Sequence, residues 1–176
     1  MNRLNRYTLI GFFLVALAGS LLHFVYEWSG NNKIVGYFSP VNESVWEHMK
    51  LSFFPMLLFA IFMNYKLKEE YPCITSALLV GILLSTYLIP VIFYSYSGVL
   101  GKNYTFLDIA TFILCVLLGF LAIHRVTISC TWTPYTFWLK LLVFGTMICF
   151  FLFTYYPPNI GIFLEPWSYD GGLYFA

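Results

Sequence analysis

A chain of 176 residues in which 60% are hydrophobic and only 10% charged lies well outside the soluble range, where about a quarter of residues carry charge. A net charge of +1 leaves no basic stripe to neutralise phosphates, so nucleic acid is excluded as a partner. The composition instead predicts a single all-α domain over residues 1–176, a polytopic helix bundle whose apolar surface is covered by the lipid bilayer.

Five apolar stretches follow in chain order: Tyr7–Trp28, Val41–Tyr65, Pro72–Ser95, Phe106–His124 and Tyr135–Pro157. Each is close to the ~20 residues that a bilayer core requires. The first is too long to be a cleaved signal peptide, and no small-x-small cleavage pattern follows it. Breakers separate the spans at Gly30-Asn31-Asn32, at the charged run Lys66–Glu70, at Gly98–Asn103 and at Ser129–Pro134. Pro55 and Pro90 fall inside spans, where neighbouring helices can satisfy the carbonyls they free. The cysteines at 73, 115, 130 and 149 show no CxxC spacing, and the pattern predicts no disulfide framework.

Lys and Arg set the orientation. With the amino terminus cytoplasmic, Arg3, Arg6, Lys66, Lys68, Arg125 and Lys140 lie inside or just within the inner boundary, against Lys33, Lys50 and Lys102 outside. This bias predicts a multi-pass protein of a cytoplasmic (inner) membrane, with an extracytoplasmic C-terminal tail over residues 158–176. Pro157-Pro158 ends the fifth span, and the tail carries Glu165, Trp167, Tyr169 and Asp170, suited to a lid or an interfacial segment.

Counting along each helix at about 1.5 Å per residue gives a depth. His23 above Arg6, Lys50 before Lys66 and Asp108 before Arg125 all fall about 25 Å from the inner boundary. Ionisable groups at that level face a bundle interior or a wet cavity, because lipid exposure costs a few kcal/mol each. His23 and Glu27 are one turn apart, with Ser20 a turn below. A Ser20–His23–Glu27 catalytic triad is a weak reading, since one helix face rarely supplies the required angles. Ser39-Pro40 reads as the start of the second helix, which puts Glu43 in its first turn. On that helix Asn42, Glu43, Trp46, Glu47 and Lys50 share an arc of about 140°, able to face His23, Glu27 and Asp108. His48 points roughly opposite Lys50, which leaves open whether it joins this site or makes another contact.

The stretch from His23 to Lys50 carries a resemblance. His23-Phe24-Val25-Tyr26-Glu27, followed by Ser39-Pro40-Val41-Asn42-Glu43-Ser44-Val45-Trp46-Glu47-His48-Met49-Lys50, resembles an uncharacterised family of small bacterial integral membrane proteins, a domain of unknown function. The resemblance implies a bacterial membrane setting and supplies no mechanism.

Three functions fit the residues. The first is a membrane enzyme acting on a lipid or other membrane-associated substrate. There Glu47 is base or ligand, Lys50 the anion partner, and His23 and Asp108 further catalytic groups. Glu27, Asn42, Glu43 and Trp46 line its ligand site, and His23, Glu27 and Glu47 hold a divalent metal such as zinc. The second is a protein that binds or transports a small polar solute, an ion or a proton, within an oligomer if repeats are needed. The third is a structural or accessory subunit held together by ion pairs.

Overall fold

The computed structural model describes residues 2–165. Its helices are α1 (Arg3–Trp28), α2 (Lys33–Gly36), α3 (Val45–Leu67), α4 (Ile74–Leu100), α5 (Thr105–Ser129) and α6 (Thr136–Tyr155), with no strand among the described residues. Five of them are long and apolar enough to cross a membrane. They correspond to the five predicted spans and carry Pro55 and Pro90 inside α3 and α4. Trp167, Tyr169 and Asp170 lie outside the described residues.

Helix ends follow local chemistry. The Asn2 side chain accepts from the Asn5 N–H to start α1. Gly101 closes α4 in the left-handed region, at φ +73°, where the absence of a Cβ removes the strain. One displaced boundary bears on the candidate site. The second long helix begins at Val45 rather than near Pro40, because Ser44 caps it by accepting from the Glu47 N–H at 3.3 Å. Ser39 is instead fully buried, donating to the Leu22 carbonyl at 2.6 Å and accepting from the Tyr26 N–H at 3.2 Å. It ties the 33–44 segment to α1. That segment also contains the unexpected one-turn helix α2.

Helices α1, α3, α4 and α5 close a ring, and α6 packs beside α4. Small residues set the closest approaches, as lipid-embedded helices require in the absence of a hydrophobic force between them. A methyl group at Gly81 of α4 would lie 2.8 Å from the Gly119 carbonyl of α5, and one at Gly119 would lie 2.8 Å from the Ser85 Cβ. Gly145 of α6 has nothing within 4 Å of such a methyl. Gly81→Val is therefore expected to cost about 1–3 kcal/mol by overpacking. Thermal melts in detergent should show it several degrees below wild type, with Gly145→Ala unshifted.

The end of the bundle that holds the amino terminus is knitted by polar contacts. Arg3 pairs with Glu70 at 2.9 Å, and His124 meets Asn5 at 2.7 Å. A disulfide joins Cys73 to Cys130, contrary to the expectation from spacing. The two residues cap adjacent ends of the antiparallel α4–α5 pair, with Cα atoms 5.3 Å apart although 57 positions separate them in sequence. Cys115 and Cys149 are free. A loop of that length is worth about 4 kcal/mol in the chain-entropy picture, and less where the helices persist after unfolding. Dithiothreitol or Cys130→Ser should lower the melting temperature of the oxidised protein, and Cys115→Val should not reproduce that loss.

At the opposite end the chain turns back after Pro158. Its Gly161–Phe163 turn sets Phe163 against Trp46, with ring centroids 4.9 Å apart. The described part of the tail thus caps the α3–α6 contact.

Candidate functional site

The late start of α3 decides what its neighbouring residues can reach. Asn42 accepts from the Ser44 N–H at 3.0 Å, forming a turn that holds Glu43 outside the helix. Freed from the helical arc, the Glu43 carboxylate reaches across to α1. It lies 3.6 Å from His23 Nε2 and 3.4 Å from His48 Nε2, and the two imidazole nitrogens are 3.2 Å apart. His23 and His48 hold the Glu43 carboxyl well below the usual carboxylate range, so it is an anion at any working pH.

Backbone chemistry orients His48. Its Nδ1 lies 2.9 Å from the Ser44 carbonyl, which can only accept, so Nδ1 carries the hydrogen. In the neutral ring this leaves the Nε2 lone pair aimed at His23 and Glu43, an arrangement typical of metal-ligating histidines. The point equidistant from the three ligand atoms lies about 2.0 Å from each, and Zn–N and Zn–O bonds are about 2.0–2.2 Å. Tetrahedral coordination at those lengths calls for ligand separations of about 3.3 Å. The geometry is thus compatible with one small divalent cation. Two imidazoles and one carboxylate with a fourth position open form a donor set used by catalytic zinc.

These groups line a cavity of about 670 Å³, within the range of small-molecule sites. Asp108 lines it as well. Its Oδ1 accepts a hydrogen bond from Tyr96, and its Oδ2 accepts from Asn103 at 3.5 Å. Deeper in the cavity the walls are apolar, formed by Leu51, Ile89, Phe93 and Phe112.

Glu47 and Lys50 face the other way. Lys50 is 0% exposed and Glu47 2%, and their side chains meet at 2.6 Å. The Lys50 ammonium also donates to the Gly36 carbonyl at 2.9 Å and to the Thr154 hydroxyl at 2.6 Å. Glu47 accepts from the Val41 N–H at 2.9 Å. One ion pair therefore joins α3, α6 and the 33–44 segment, with every Lys50 proton used. Trp46 packs beside it on Phe150, with ring centroids 4.8 Å apart, and its indole N–H has no partner among the described residues.

The predicted residues thus divide in two. His23, Glu43 and Asp108 come together at one cavity. Glu47, Lys50 and Trp46 belong to the α3–α6 contact and do not line it, so the metal set of His23, Glu27 and Glu47 is not assembled. Glu27 is exposed on α1, and Asn42 serves the turn that presents Glu43. Ser20 lines the cavity, but its hydroxyl donates to the Ala16 carbonyl and not to His23. His48, left open by the helical wheel, is the third group that meets His23 and Glu43. The capping-box pattern Ser44-Val45-Trp46-Glu47 starts the helix five residues later and would have placed Glu43 outside it, while nothing in the order of residues points His48 at α1.

No curated protein and no solved structure matches the chain. A family model described as "Family of unknown function (DUF6512)" matches residues 1–173. Matched over nearly its whole length, the chain belongs to that uncharacterised family.

Proposed function

We propose that this protein is a membrane-embedded, metal-dependent hydrolase whose divalent ion, zinc by donor preference, is held by His23, Glu43 and His48. The observation that carries the reading is the convergence of three ligand atoms separated by 3.2, 3.4 and 3.6 Å at the mouth of a cavity. The metal supplies an activated water on its open side, with a pKa brought near neutrality. Asp108, on another wall of the same cavity, is the proton acceptor. The Glu47–Lys50 pair holds α3 against α6 and takes no part in the chemistry.

The Lys and Arg bias supports a cytoplasmic amino terminus and a cavity at the level of the outer leaflet of a bacterial inner membrane. The test is elemental analysis of the full chain purified in detergent. About one zinc per chain is expected in wild type and in Glu47→Gln, with background levels in His48→Ala. Wild type that carries no metal after zinc loading would sink the reading.

A further inference from the structure

We propose that the substrate is an uncharged acyl lipid, an ester or amide, that enters sideways from the bilayer between α1 and α5. This inference rests on the metal-centre reading and adds its substrate class. Two observations carry it, the charge lining the cavity and the place where it opens.

No Lys or Arg lines the cavity among the described residues, whereas two carboxylates do, on Glu43 and Asp108. One divalent ion held by Glu43 and the two histidines would balance the charge of the two carboxylates that line the cavity. A phosphate added there would bring excess negative charge with no Arg or Lys to receive it. A carbonyl oxygen needs no such partner and is polarised by the metal directly. The lining therefore favours carboxylic acyl groups over polyprenyl phosphates and phosphorylated headgroups.

The opening is assigned to the α1–α5 side because both helices contribute to the cavity lining beyond their contact at Gly19. A methyl at Gly19 of α1 would lie 2.5 Å from the Phe112 ring of α5, so the helices touch there. Beyond that contact the cavity is lined by Ser20, His23 and Phe24 on α1 and by Thr105, Asp108 and Ile109 on α5. Phe24 and Ile109 line the cavity and remain 48% and 54% exposed. Exposed apolar side chains flanking the cavity on α1 and α5 would serve as a greasy doorway from the bilayer. The apolar depth accepts an acyl chain, and the polar mouth receives its carbonyl.

The reaction balances without a further reagent. With a metal held by His23, Glu43 and His48, water activated there would give a proton to the Asp108 carboxylate and add as hydroxide to the acyl carbon. The bond from that carbon to the alcohol or amine breaks, and the proton on Asp108 passes to the leaving group. A carboxylic acid and an alcohol or amine result.

The test uses zinc-loaded full-length protein in nanodiscs of a dialkyl ether phosphocholine, in which the added probe is the only acyl donor. Probes are dioleoylglycerol, oleoylethanolamide, farnesyl phosphate and water-soluble triacetin, with zinc content read separately. Oleate release from dioleoylglycerol or oleoylethanolamide is expected, at least 100-fold faster than with His48→Ala. Doorway variants Ser20→Trp and Ile109→Trp should slow it at least tenfold while retaining zinc. Two residues on different helices guard against one variant failing to fold. Phosphate release without oleate release, or zinc bound with neither, overturns the substrate class. Triacetin turned over as fast as dioleoylglycerol, or unslowed doorway variants, overturns entry from the bilayer. Absence of zinc from wild type is a failure of the metal centre itself, read without turnover.

Discussion

Lys50→Met should melt far below wild type in detergent, and adding Glu47→Leu to it should restore most of the loss. The single change leaves the Glu47 carboxylate buried without its ammonium, and a charge stranded in this way costs about 3–5 kcal/mol. Removing both partners removes the stranded charge, and well-packed apolar replacements are often neutral or better. The polar groups around the pair moderate that recovery, since the Gly36 carbonyl and the Val41 N–H each lose a partner. A thermal-melt cycle of the two singles and the double measures the coupling. If Lys50→Met melts with wild type, the pair does not hold α3 to α6. Zinc content should be retained in the folded double variant, which separates this contact from the metal centre.

Zinc should stabilise the wild-type protein, and His23→Ala, Glu43→Ala or His48→Ala should each abolish that stabilisation. A ligand that binds only the folded state adds about 2.7 kcal/mol at a free concentration of 100 times its dissociation constant. The expected signature is an upward melting shift with zinc that a chelator reverses. In zinc-free protein the three variants should differ little from wild type, because Glu43 is largely exposed and its contacts with the histidines are long for hydrogen bonds. Asn42→Ala should weaken the zinc response without removing a ligand, by releasing the turn that presents Glu43. A zinc shift of equal size in His48→Ala would rule out the three-residue centre.

The spans were legible because lipid demands long unbroken apolar runs, a signal carried by single residues in order. The site was legible only in part. Counting residues brought His23 and Asp108 to a common level, and both line the cavity. Lys50 met the same count and lies on the other side of α3, because depth along a helix says nothing of direction around it. The wheel described His48 correctly as pointing away from Lys50. That this direction leads to α1 is a matter of how helices pack, which the order of residues along one helix does not express. Glu43 was misplaced for a local reason. Two serines competed to start the helix, and Ser44, with Glu47 three residues on, prevailed over Ser39-Pro40. The Cys73–Cys130 bond had no sequence signal, because it depends on two helix ends arriving side by side.

That bond has a bearing on cell compartment. It shares an end of the bundle with the amino terminus and with the Arg3–Glu70 pair, the end that basic residues would anchor in the cytoplasm. Glutathione keeps cytosolic thiols reduced, whereas an exported face lets them stay joined. The rule that sorts charges and the rule that sorts thiols therefore ask opposite sides of the membrane for the same few residues. A chain inserted with this end inward holds α4 to α5 without a covalent bond, by close packing at Gly81 and Gly119 and by the Tyr96–Asp108 hydrogen bond. Inserted the other way, it carries a covalent clasp and presents His23 and His48 to the cell interior.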